Sequence, residues 1–181
     1  MYVSSLLNKI RDQTTDVSVK YCHDLGGAPL LIFAAPFLQN IPRVEVIKAR
    51  AQDVDEALID TSLQDGDMLF IDSTHTVKHN SDCLHIYLRI LPYIRNNIFV
   101  HAHDIYLPGP LPIHTMRDHQ VYWNEQYILY AYMIDNPRTK VLYSSAYHHQ
   151  ANLDLLAAFM HNRFTPGGGS LWFFQSGPAN C

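Results

Sequence analysis

The stretch Met68-Leu69-Phe70-Ile71-Asp72-Ser73-Thr74-His75, followed further along by Ile98-Phe99-Val100-His101-Ala102-His103-Asp104, decides how this chain folds. Each is a short apolar run that closes on ionisable residues, the pattern of a buried strand whose end reaches solvent. Between them, residues 82–94 carry Leu84, Tyr87, Leu88 and Leu91 at helical spacing, so the unit reads strand, helix, strand. Parallel strands joined by a right-handed crossover end on the same edge of their sheet. Asp72 and Asp104 are therefore expected side by side at the carboxyl edge, where open α/β sheets bind their ligands.

Working outward, residues 4–10 read as a short helix capped by Ser4 or Ser5, and residues 17–22 as a strand. Asp24-Leu25-Gly26-Gly27-Ala28-Pro29 is a turn signal, followed by short strand candidates at 30–33 and 44–49. Residues 55–63 suggest a short helix, and Asp65-Gly66-Asp67 turns the chain into the strand before Asp72. On the other side, Pro108-Gly109-Pro110-Leu111-Pro112 cannot continue a helix or a central strand, so it is expected as a surface loop over the strand ends, able to act as a lid. A helix at 122–134, a strand at 140–144, a helix at 153–160 and a last strand at 170–174 complete the reading. The chain is expected to be one α/β domain spanning residues 1–181.

Composition narrows the class. With 48% hydrophobic and 17% charged residues in 181, the chain can bury one sizeable core. A formal charge of -4 without basic runs argues against nucleic acid as a partner. The longest apolar stretch, 29–38, is broken by Pro36 and falls far short of the roughly 20 residues a membrane span needs, so no membrane partner is expected. Cys22, Cys83 and Cys181 show no pairing or zinc-type spacing, which suits reduced thiols in a cytoplasm.

Four ordered motifs carry a resemblance. They are Leu69-Phe70-Ile71-Asp72-Ser73-Thr74-His75; Val100-His101-Ala102-His103-Asp104-Ile105 with its proline-rich sequel; Trp123-Asn124-Glu125-Gln126-Tyr127; and Gly167-Gly168-Gly169-Ser170-Leu171-Trp172. Together they resemble the class I S-adenosylmethionine-dependent methyltransferases of the group described as methyltransferase domain 24, over about residues 44–172. The resemblance implies a Rossmann-like, mostly parallel sheet with an antiparallel C-terminal strand. It also implies S-adenosylmethionine as cofactor and a small hydroxylated metabolite as substrate.

The amino end departs from that pattern. Gly26 and Gly27 stand where the cofactor's glycine-rich turn is expected, but too few residues separate them from 30–33 for the helix of a βαβ unit. Ala34 and Ala35 stand where an acidic residue would accept the ribose hydroxyls, and alanine cannot. The N-terminal βα unit therefore reads as incomplete, and the sheet edge it would leave bare could be covered by a second copy in a homodimer.

The resemblance implies roles for the strand-end residues. Gln52 and Asp53 stand where related enzymes contact the adenine, and Asp72 faces both cofactor and substrate. Asp72, His103 and Asp104 would hold a divalent cation, magnesium, manganese or iron, against a hydroxyl, and His75 would accept the proton. On the residues alone, both aspartates also suit turn caps. His101 and His103 are expected on opposite faces of their strand, with His103 in the site. Trp123 is expected in the core, with Asn124, Glu125 and Gln126 capping a helix, holding the proline-rich loop or lining the substrate pocket. Two other functions fit the same residues: a degenerate methyltransferase-derived binding domain, and a metal-dependent hydroxylase using His103 with two aspartates.

Overall fold

The structure, a computed structural model, describes residues 19–22, 49–164 and 166–178. Five strands form one sheet: β1 (Val19–Cys22), β2 (Met68–Ile71), β3 (Ile98–His103), β4 (Thr139–Ser144) and β5 (Ser170–Gln175), in the spatial order β1-β2-β3-β5-β4. The first three are mutually parallel, and β5 runs antiparallel between β3 and β4. The fold class is thus mixed α/β with a parallel half, as the alternation of apolar runs and helical stretches implies. The expected elements at 4–10 and 30–33, and all but the last residue of 44–49, lie outside the described residues.

The connection between β2 and β3 is one continuous helix, α2, built of α-helical turns at Asp82–His85 and Leu91–Tyr93 around a π-helical segment at Ile86–Ile90. Ser81 caps it by accepting from the Leu84 amide. Cys83, Ile86, Tyr87, Ile90, Leu91 and Ile94 form its buried stripe, and Leu88 faces solvent. This stripe packs on Leu69 and Ile71 of β2, on Ile98, Val100 and Ala102 of β3, and on Leu171 and Phe173 of β5. Burying each such side chain contributes about 1.5–3 kcal/mol, so this layer sets how the strand ends sit.

The remaining helices are α1 (Glu56–Ser62), α3 (Ile113–His119), α4 (Glu125–Met133), α5 (Ser145–Ala151) and α6 (Leu153–Phe159). Two of them, α3 and α5, fall where no helix is expected. Both are a single pair of turns with mostly polar sequence, and α5 starts directly from β4, with the Ser144 hydroxyl accepting from the Tyr147 amide. Helix α4 begins three residues later than the expected 122. Among the described residues no helix is long and apolar enough to cross a membrane.

Cys83 lies fully buried in α2, and burial together with the nearby Glu125 charge pushes its thiol up to about 12. Alkylation needs an accessible thiolate. In the native protein Cys83 is expected to resist iodoacetamide and to react once urea unfolds the chain, which peptide mass spectrometry of labelled samples checks; rapid native labelling would contradict this packing.

Candidate active site at the strand ends

The β2–β3 register pairs Ile71 with Ala102, so Asp72 and His103 follow at one level. Asp72, His75, His103 and Asp104 meet there. Nε2 of His75 lies 3.5 Å from Asp72 Oδ1 and 3.5 Å from Asp104 Oδ2. Nδ1 of His103 lies 3.6 Å from Asp72 Oδ1 and 3.4 Å from Asp104 Oδ2. Two nitrogens and two oxygens thus alternate around a ring. The expected convergence of Asp72 and Asp104 is present, and His75 is the residue that bridges them from below.

His75 is positioned by elements far apart in sequence. Its Nδ1 is 2.6 Å from Glu125 Oε2, at the first residue of α4. Glu125 is buried, and it also accepts from Ser73 Oγ at 2.6 Å and from the Tyr87 phenol of α2 at 2.6 Å. Burial and the Glu125 charge raise the Tyr87 phenol well above its ordinary range, which keeps it a donor. A buried carboxylate is expensive unless donors saturate it, and three converge on this one. Trp123 packs its ring against His75 at 4.6 Å. Trp123 itself is half-buried at the site, so its expected place in the core is corrected.

The backbone here is unusual. His75 and Asp104 both adopt left-handed conformations, with φ of 57° and 54°. Side chains in that region are uncommon, and they persist where surroundings enforce them. The His75 carbonyl accepts from the Asn124 and Glu125 amides, and the Asp104 amide donates to the Gly169 carbonyl. Nearby, the Asp82 carboxylate accepts from both the amide and the hydroxyl of Thr74, fixing the loop that carries His75.

Electrostatics follow from this geometry. Burial lowers the pKa of His75, but hydrogen bonds to Asp72 and Glu125 and the charges of Glu125 and Asp104 outweigh it and lift the value to about 9. A protonated imidazole donates, so the base role expected of His75 requires that proton to leave first. His103 is raised by the Asp104 carboxylate against the effect of burial. Its Nδ1 atom is nonetheless buried without an aligned hydrogen bond. His101 is pushed down to about 4 by burial and by His103. It stacks on Trp172 at 4.1 Å and bonds Ser170 Oγ at 2.6 Å, outside the ring. The expectation that His101 and His103 face opposite ways fails for a simple reason: residues two apart on a strand share a face. Their rings lie 6.3 Å apart, both against Phe70.

Gln52 and Asp53 do not join the ring. They line a groove of about 540 Å³ beside α2, with Asp55, Asn80, Ser81 and His85 among its other walls. Gln52 Nε2 donates to the Asn80 carbonyl, while its buried Oε1 has no hydrogen-bond partner. Asp53 is held by Arg50 at 2.7 Å. Gly26 and Gly27 lie outside the described residues. The proline-rich loop is fastened rather than loose: Gln126 accepts from the Tyr106 amide and donates to the Gly109 carbonyl, and Ser144 Oγ donates to the Leu107 carbonyl.

The ring brings together two imidazole nitrogens and two carboxylate oxygens, with His103 Nδ1 buried and without a hydrogen-bond partner. Among the described residues, no three or more His, Cys, Asp or Glu side chains form a group that could hold a metal ion. The edges of 3.4–3.6 Å are those of an open ring rather than a closed cage. Compared with known proteins, the chain matches no family model, no curated protein and no solved structure.

Of these residues, sequence reasoning missed Glu125 as the anchor of His75. The motif around it was visible, but an acidic residue at the start of a helix reads first as a partner of the helix dipole. Gly169 is the second missed residue: a Cβ there would come within 2.9 Å of the Asp104 backbone. Gly169→Ala is expected to cost about 1–3 kcal/mol by overpacking, read as a lower urea midpoint. Unchanged stability would show that Asp104 is not held by this contact.

Proposed function

We propose that the chain is an S-adenosylmethionine-dependent methyltransferase-like domain that methylates a hydroxyl of a small metabolite with help from a divalent cation. The observation that carries this reading is the meeting of Asp72, His75, His103 and Asp104 at the carboxyl ends of two adjacent parallel strands. The antiparallel β5 between β3 and β4 supports it, since a Rossmann-like methyltransferase sheet with an antiparallel C-terminal strand is what the four sequence motifs imply. The Gln52–Asp53 groove supports it too, because a buried acceptor without a donor suits the exocyclic amine of an adenine.

When bound, the cofactor would supply a sulfonium methyl and the cation would lower the pKa of the attacking hydroxyl, whose proton would leave to solvent on the open side of the site while the thioether departs. The chain's own residues do the rest. Asp72, His103 and Asp104, each partly open to solvent, are the residues that would hold the cation and orient the hydroxyl. Asp72, directly after β2, would contact both reactants. His75, nearly closed off from solvent, keeps the carboxylates in register from beneath.

Calorimetry with S-adenosylmethionine in the presence of manganese tests this. Binding is expected, with Gln52→Ala weakening it about tenfold through loss of the adenine contact. A folded protein that takes up no heat at millimolar cofactor would overturn the proposal.

A further inference from the structure

We propose that residues 112–122, the stretch that carries α3, form a lid that closes over the ring when the cofactor binds, with the anchored residues 106–111 before it as a fixed hinge. The inference rests on the reading above that S-adenosylmethionine and its acceptor meet at the ring.

Three observations carry it. The first is where the stretch begins and ends. The chain leaves the ring at Asp104 and returns to it at Trp123, whose indole packs against the His75 ring at 4.6 Å. Both legs are pinned there. On the way out, Gln126 accepts from the Tyr106 amide and donates to the Gly109 carbonyl, and Leu111 is buried. On the way back, the Asn124 side chain accepts from the Val77 amide, and the Asn124 amide donates to the His75 carbonyl.

The second is how little holds the residues between these anchors. Helix α3 is seven residues long, starts at Pro112 without a side-chain cap and has no buried residue. Helices this short are marginal in water and depend on tertiary packing for their stability. Among the described residues, every hydrogen bond, ion pair and ring contact of residues 112–122 stays inside the stretch. Arg117 pairs with Asp118, the His114 ring meets that of His119, and the Thr115 carbonyl accepts from the Gln120 and Val121 amides. An element with few buried contacts opens at low free-energy cost, and its anchored ends confine the motion to the rim of the ring.

The third is what closure covers. Ile113 and Tyr122, at the two ends of the stretch, are 72% and 69% exposed. Asp72, His103 and Asp104 are partly open on the edge where the stretch begins. Folding α3 down takes apolar surface out of water and narrows the opening of the ring, where fewer waters strengthen each electrostatic interaction. Lids that close over a bound ligand do both.

The test is hydrogen–deuterium exchange, read by mass spectrometry on the full-length protein, alone and with S-adenosylmethionine and manganese. Calorimetry first establishes whether the two bind. In the free protein the amides of residues 113–121 are expected to exchange at least about a hundredfold faster than those of α4, and binding is expected to slow them about tenfold while α4 is unchanged. Trypsin reads the same motion, because Arg117 is the one lysine or arginine between Arg95 and Arg138. Cleavage there is expected early in the free protein and late in the bound one. Tyr122→Ser, at an exposed position, is expected to lose most of the slowing while still binding the cofactor. Exchange of residues 113–121 as slow as that of α4 in the free protein would overturn the lid and leave the methyltransferase reading standing. So would an unchanged rate while calorimetry shows the cofactor bound. No heat with folded protein would instead remove the methyltransferase reading, and the lid with it.

Discussion

The contact between Glu125 and His75 is the constraint on which this site depends. It spans the sequence from the loop after β2 to the start of α4, at 2.6 Å and out of reach of water. A carboxylate placed there without donors would destabilise the fold by several kcal/mol. Instead Ser73, His75 and Tyr87 surround it, so three elements are tied to one buried charge. The imidazole thereby gains a fixed orientation, and its other nitrogen is delivered between Asp72 and Asp104.

The sheet supplies the rest of the geometry. Parallel pairing of β2 with β3 brings Asp72 level with His103, and the antiparallel β5 closes the far side of β3 so that Gly169 lies against Asp104. The buried stripe of α2 holds these strands from one face. Two of the left-handed residues belong to the site: His75, in the loop after β2, and Asp104, directly after β3. The His75 carbonyl accepts from the Asn124 and Glu125 amides, and the Asp104 amide donates to the Gly169 carbonyl.

Much of this was legible in the residues because apolar runs mark buried strands directly. The ends of β2 and β3, the helix between them, the late strands and the acidic pair at one edge all follow from that signal. Other features depend on contacts between distant segments, which no local pattern encodes. Glu125 looks like an ordinary helix-start acid until Tyr87 and His75 are seen around it. Gly169 looks like one of three turn glycines until Asp104 is placed against it. Helices α3 and α5 are short and largely polar, so their periodicity is faint. The opposite-face expectation for His101 and His103 was an error of strand parity rather than a hidden property of the fold.

Anomalous diffraction from crystals grown with manganese tests the central claim most directly. The account predicts one strong peak at the metal's absorption edge against Asp72, His103 and Asp104, with His75 beneath the two carboxylates and Glu125 behind its ring. No peak at these residues, or carboxyl groups of Asp72 and Asp104 turned away from each other into separate turns, would contradict it.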